Sequence, residues 1–202
     1  MTLWRGKAPL ILASQSHARK MLLANAGLDF EPIPADIDER GVQETSKLAN
    51  PREIALLLAR EKAKAVSMLH AGRYVVGADQ TLALGARLFT KPVGRAQAAA
   101  QLRDLAGQSH ELCSAVAVVR DGKVLFEVVS VARMTMRPLN EAEISAYLDE
   151  AGEVVTSSVG AYQLEGLGVH LFERIEGDHF TILGLPLLPL LAFLRRERLV
   201  AA

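Results

Sequence analysis

The spacing of apolar and polar positions divides the chain into short alternating segments. Residues 10–13 form an uninterrupted apolar run, the pattern of a short buried strand, and Ser14-Gln15-Ser16 breaks it. A helical pattern follows, with Leu22 and Leu23 inward and Gly27 as its stop. Residues 29–40 carry two prolines and the acidic pair Asp38-Glu39, which predicts an extended segment running into a loop. Asn50, Pro51 and Glu53 suit the N-cap, first and third positions of a helix expected to reach about residue 69, with Gly72 closing it. Its expected apolar stripe is Ile54, Leu58, Ala65 and Met68, and Glu61 falls on that stripe. A carboxylate there needs a basic partner or a polar cleft, because burying it bare is costly. Lys62, next in sequence, points a different way.

Residues 74–78 read as an apolar strand that ends in Asp79, and segments 81–84 and 87–90 flank Gly85-Ala86 as a hairpin. A helix over 95–106 ends at Gly107. Two long apolar stretches, 110–120 and 124–136, are joined by the turn signal Asp121-Gly122 and are expected at the centre of a sheet. Asn140 with Glu143 caps a helix that stops before Gly152, and 157–168 is expected to be a loop. Segments 169–172 and 180–183 read as strands, and 190–199 as a terminal helix, apolar first and basic later. Interleaved helices and strands with two hairpins predict an α/β fold built on a mixed sheet.

Composition narrows the function. The chain has 202 residues, half of them hydrophobic, and a formal net charge of zero. It is therefore expected to be globular, and a broad basic face for nucleic acid is not expected. The single Cys113 excludes an internal disulfide and multi-cysteine metal sites. The first residues lack a signal-like apolar segment, and the apolar run 182–194 is too short for a bilayer and is broken by Gly184, Pro186 and Pro189. The expectation is a cytoplasmic protein with no membrane partner.

The polar residues at the predicted element ends then carry the chemistry. Ser14, Ser16, Arg19 and Lys20 sit where a strand hands over to a helix N-terminus, a place that favours anions. The same residues also read as an N-cap with solvated cations. Asp79 closes a strand in the manner of a ligand-facing carboxylate. Cations (Arg19, Lys62, Lys91) mixed with carboxylates (Glu39, Glu61, Asp79) suit a polyphosphate that carries a divalent metal. Walker, dinucleotide and His-rich metal motifs are absent from the sequence. His110 reads as structural, Cys113 as a small core residue, and Tyr162 as either a base-stacking or a packing group.

Seven short motifs occur in order: residues 10–16 (Leu-Ile-Leu-Ala-Ser-Gln-Ser), Ile37-Asp38-Glu39, Glu61-Lys62-Ala63, Gly77-Ala78-Asp79, Lys91-Pro92, Gly160-Ala161-Tyr162 and Gly184-Leu185-Pro186-Leu187. In this register the chain resembles the Maf family of nucleoside triphosphate pyrophosphatases, over nearly its whole length. The resemblance implies a single domain over 1–202 with a fold like that of the inosine triphosphatases: an extended mixed sheet flanked by helices, two lobes around a cleft. It implies an enzyme that hydrolyses the α-β phosphate bond of a nucleoside triphosphate to a monophosphate and pyrophosphate. By carry-over, Asp79 resembles the proton acceptor, acting directly or through a metal. Ser14, Arg19, Lys62 and Lys91 resemble phosphate contacts, with Ser16 in the same loop. Glu39 and Asp79 resemble ligands of Mg or Mn. Gln80 after Asp79, and Glu165, resemble the branch acting on 7-methyl-GTP, in which a carboxylate can accept from guanine. Homodimers are also implied. The chain departs from the family pattern at Ala18, where an arginine is usual, and at Ser158-Val159, where many relatives have a lysine. Those two departures motivate an alternative, a nucleotide-sensing or cell-division regulatory protein on the same fold.

Overall fold

A computed structural model describes residues 3–201. Seven strands form one mixed sheet in the order β2-β1-β3-β5-β6-β7, with β4 paired to β3. The strands are β1 (Leu10–Leu12), β2 (Phe30–Pro32), β3 (Val75–Leu84), β4 (Arg87–Phe89), β5 (Ser109–Arg120), β6 (Lys123–Met136) and β7 (Phe172–Glu176). The helices are α1 (His17–Asn25), α2 (Glu39–Ser46), α3 (Pro51–Ser67), α4 (Gly94–Leu105), α5 (Glu141–Ala151), α6 (His179–Ile182) and α7 (Leu187–Arg196). β1 runs parallel to β2 and β3, whereas β3–β4 and β6–β7 are antiparallel. β5 and β6 are joined at Asp121-Gly122, whose positive φ angles of 50° and 74° are those a tight two-residue hairpin requires.

The chain divides into two compact units, one made of residues up to Gln80, Cys113–Ser130 and the segment from His179 onward, the other of Thr81–Leu112 and Val131–Asp178. β3, β5 and β6 contribute residues to both.

In the first unit the two-residue period of the strands sorts the side chains into two layers. Leu10 and Leu12 of β1, Val76 and Ala78 of β3, and Val116 and Val118 of β5 pack with α1 and α7 through Leu22, Leu23, Leu190 and Leu194. On the other face, Ile11 and Val75 meet Ala63 and Val66 of α3, while Ala55 and Ala59 meet Ala115 and Ala117. The α3 contact is made almost entirely of small residues, so the helix lies close to the sheet. A Cβ placed on Gly77 would stand 2.1 Å from the Ala59 carbonyl oxygen, which only a glycine avoids.

In the second unit, Leu82, Leu102, Leu105, Met134, Met136, Ile144 and Leu171 are buried. α4 touches α5, and Arg103 forks onto Glu141 at 2.6 and 2.7 Å.

Five sequence expectations fail here. β3 does not end at Asp79 but continues to Leu84, so Asp79 sits within the strand. Segment 29–40 is extended through β2 as expected but runs into a helix rather than a loop: Asp38 caps α2, which begins at Glu39, by accepting the Gly41 N–H at 3.0 Å. Segment 169–172 is mostly a 3-10 turn over Leu167–Leu171, with β7 beginning at Phe172, and 180–183 lies mostly in α6 rather than in a strand. On α3 the buried positions are Ile54, Ala55, Leu58, Ala59, Lys62, Ala63, Val66 and Ser67, so Lys62 faces inward and Met68 is exposed. Glu61 is half-exposed and pairs with Lys64 at 3.1 Å.

Candidate active site

The loop after β1 is built around Arg19. Ser16 caps α1, its Oγ accepting the Arg19 backbone N–H at 3.4 Å. Ser14 is buried, and its Oγ accepts from the Ser16 N–H and from Arg19 Nη1, both at 3.2 Å. The β1 ladder ends where the Ala13 N–H reaches the Val76 carbonyl at 2.8 Å, and β3 continues past that point without β1 beside it until β4 pairs at Leu82–Leu84. Arg19 takes over from the missing strand. Its Nη1 donates to the Ala78 carbonyl at 2.7 Å, and its Nε donates to the Gly184 carbonyl at 2.8 Å. Among the described residues the Nη2 hydrogens have no protein acceptor, so one edge of a fixed, planar fork is left for an anionic oxygen. Burial lowers the Arg19 pKa, with Asp79 and Glu39 opposing it.

The close approach of α3 at Gly77 sets the second half of the cluster. Asp79, two residues on, projects to the same side and meets Lys62, whose Nζ donates to Asp79 Oδ1 at 2.6 Å. Lys62 also pairs with Glu39 Oε1 at 2.9 Å. Glu39 is the first residue of α2, held there by the Asp38 cap, and about half of its side chain is exposed. Burial pushes the Asp79 pKa above the ordinary carboxylate value; attraction to Lys62 and Arg19 opposes the shift, and repulsion from Glu39 adds to it. Asp79 Oδ2 accepts no hydrogen bond from the described residues and is free to meet a water or a cation.

Ser14, Ser16, Arg19, Lys62, Glu39 and Asp79 are thus gathered within the first unit. Gln80 belongs to the same unit but turns to the opposite face of β3, where its amide nitrogen donates to Ser114 Oγ at 2.8 Å and to the carbonyls of Thr181 and Ile182 at 3.1 and 3.0 Å. Lys91 and Glu165 belong to the second unit, where both are exposed. His110 is buried in that unit with its Nε2 2.7 Å from the Tyr162 hydroxyl, so Tyr162 packs rather than presenting an open ring. Cys113 is buried, as expected of a small core residue. Two contributors were not singled out from sequence: the Gly184 carbonyl, which fixes Arg19, and the α3 contact at Gly77. The Gly-x-Asp spacing of residues 77–79 carries the only sequence signal for the second.

The donor chemistry fits a hard divalent ion in a limited way. Asp79 and Glu39 offer carboxylate oxygens, and Mg²⁺ is commonly held by one or two carboxylates with phosphate oxygens and water completing its shell. Among the described residues no group of three or more His, Cys, Asp or Glu side chains forms a dedicated metal cage. The fit is therefore to an ion that arrives with a phosphate-bearing ligand.

A family model described as Maf-like protein matches residues 9–197. A nucleoside triphosphate pyrophosphatase of Bradyrhizobium diazoefficiens is 78% identical over 201 residues, 100% of each chain. One of Rhodopseudomonas palustris strain CGA009 is 68% identical over 201 residues, again 100% of each chain. A 7-methyl-GTP pyrophosphatase of Rhizobium etli is 55% identical over 188 residues, 92% of this chain and 94% of the relative.

Proposed function

The chain belongs to the Maf-like protein family, and from that membership we propose that it is a nucleoside triphosphate pyrophosphatase with Asp79 as its base. The observation that carries the reading is the cluster of Asp79, Lys62, Glu39 and Arg19 beside the Ser14 loop. Water attacks the α-phosphorus, its oxygen forming the new P–O bond while the bond from that phosphorus to the bridging oxygen breaks. Asp79 accepts the proton, and pyrophosphate leaves with the bridging oxygen. A positioned carboxylate base of this kind contributes about 10² to 10⁴ in rate. Ser14 and the Nη2 edge of Arg19 supply donors to phosphate oxygens, and Lys62 supplies a charge between the two carboxylates.

Two carboxylates and two cations leave the cluster formally neutral, so a triphosphate brings negative charge that these residues do not balance. A divalent ion, Mg or Mn, held by Glu39 and Asp79 would supply that balance and stabilise the leaving pyrophosphate. Ser16 supports the loop as its cap. The phosphate role of Lys91 and the base-reading role of Glu165 rest on their motifs. A preference for 7-methylguanine as the base is supported by the name of the Rhizobium etli relative. The proposed setting is the cytoplasm; no helix among the described residues is long and apolar enough to cross a membrane. One domain over 1–202, in homodimers, is the proposed organisation.

The test is pyrophosphate release by the purified protein with Mg²⁺ or Mn²⁺ across GTP, 7-methyl-GTP, dTTP, UTP and ITP. Turnover is expected, fastest with 7-methyl-GTP. A folded protein that releases no pyrophosphate from any of these nucleotides overturns the reading. Tight nucleotide binding without turnover would favour the sensing alternative.

A further inference from the structure

Gln80 follows Asp79 in sequence, yet the period of the strand turns the two side chains to opposite faces. On its own face Gln80 is not open to a ligand through its amide nitrogen. That nitrogen is shared among Ser114 Oγ and the carbonyls of Thr181 and Ile182. Ser114, fully buried, donates its hydroxyl to the same Thr181 carbonyl at 2.6 Å. The Thr181 carbonyl also receives the Gly184 N–H at 3.1 Å. Gly184 in turn offers its own carbonyl to Arg19 Nε at 2.8 Å. The turn has little room. Gly184 has φ +85°, and a Cβ there would stand 3.3 Å from Arg19 Nη2 and 3.7 Å from the Gln80 amide carbon.

We propose that Gln80 and Ser114 are positioning residues for Arg19: they fix the turn over residues 181–184 so that the Gly184 carbonyl holds the guanidinium with its Nη2 edge toward phosphate. This rests on the proposed function, and it gives Gln80 a task other than reading the base. Loss of the anchor lets the turn shift, and the fork loses one of its three fixed acceptors. The effect falls on phosphate grip and is the same for every nucleobase.

The experiment is a double-mutant cycle on nucleotide affinity, read by calorimetry with Mg²⁺ and the α,β-methylene analogue of each triphosphate, whose α-β bridge cannot be hydrolysed, so that turnover is not needed. Gln80→Met keeps the length of the side chain and removes its donors; Ser114→Ala is the second variant, used in the same way if Gln80→Met does not melt cooperatively. The expected result is a rise in Kd of about tenfold, equal for GTP, 7-methyl-GTP and UTP, and nearly abolished when Arg19 is already alanine. A loss that differs between bases overturns the proposal, because Gln80 then reads the base. A loss that adds fully to that of Arg19→Ala overturns it too, as does an unchanged Kd. If the wild-type protein binds no nucleotide, the proposed function falls together with this inference; wild-type binding with an additive cycle sinks this inference alone.

Discussion

The polar cluster around Asp79 and the one around His110 are built on different terms. Around Asp79 the groups are charged and only partly satisfied: two carboxylates share one lysine, Asp79 Oδ2 accepts nothing from the described residues, and Arg19 keeps an open edge. Around His110 the groups are neutral. His110 shares a hydrogen bond with Tyr162, the Tyr147 hydroxyl donates to the Ala161 carbonyl at 3.2 Å, and Gln101 links the Gly160 N–H to the Thr90 carbonyl. Among the described residues, His110 Nδ1 is the one buried side-chain nitrogen or oxygen without a hydrogen-bond partner. A charged cluster with free valences costs stability and holds capacity for a ligand; a neutral, saturated one holds loops in place. The same fold contains both, and burial acts on them with opposite sign. It raises Asp79, a carboxylate, and lowers His110 to about 4.

The sharpest way to break this contrast is Asp79→Asn. The amide cannot accept the proton from water, so kcat should fall by about 10² to 10⁴. The melting temperature should hold or rise, because the substitution also removes a buried carboxylate whose charged form the fold disfavours. Since folding raises the Asp79 pKa, the folded chain binds that proton more tightly. The stabilisation from this group is present at acid pH and is lost as pH rises through the raised value. Steady-state kinetics beside a thermal melt decides the matter; a variant with full turnover, or one that loses activity only because it unfolds, removes Asp79 from its assigned role.

Titration of the second cluster gives the next largest effect, with the reverse slope. The unfolded chain protonates His110 near 6.5 and the folded chain only near 4, so the unfolded state binds more protons between those values. Stability from this residue is complete above about pH 6.5 and falls as pH drops toward 4, by about 3 kcal/mol in all. Melts of the Asp79→Asn variant across that range, with and without His110→Phe, isolate the contribution. Equal pH slopes in the two proteins would show that His110 does not titrate as its burial requires.

Sequence reading and structure part company at identifiable places. The Ser14 loop, the Asn50 cap, the Asp121-Gly122 turn and the Asn140–Glu143 capping box were legible because each is a local device with its own residue code. The face of α3 was not, since its contact with the sheet is made by Ala55, Ala59 and Ala63, which give a weak hydrophobic signal, while the larger Met68 lies at the exposed end. Choosing Glu61 over Lys62 as the inward residue followed from that. α2 contains little apolar surface, and only its Asp38 cap announces it. Segment 180–183 is four residues long, and a run of that size cannot tell a strand from a helical turn. Within the site, the strand period separates Asp79 from Gln80 only because β3 continues past Asp79, which the sequence did not announce, and the meeting of Arg19 with Gly184, 165 residues apart, depends on tertiary packing that no local pattern encodes.

The smallest effect expected is also the one that tests whether saturation is what distinguishes the second cluster. Gln101 is 5% exposed, with its Nε2 donating to the Thr90 carbonyl at 2.8 Å and its Oε1 accepting the Gly160 N–H at 3.0 Å. Gln101→Met preserves the volume, removes the hydrogen bond to the carbonyl of the exposed Thr90, and takes the Gln101 acceptor from the buried Gly160 N–H. Removing one partner exposes the other to its full desolvation cost, so stability should drop by about 1 to 3 kcal/mol. Gln101→Glu still accepts the Gly160 N–H but sets an oxygen against the Thr90 carbonyl, and should recover part of the loss only at acid pH, where the carboxyl is protonated and can donate. Denaturant melts of the three proteins at pH 5 and pH 8 read this directly. If Gln101→Met matches the wild type, these hydrogen bonds do not hold the Gly160 turn, and the contrast between a saturated and an open cluster loses its structural half.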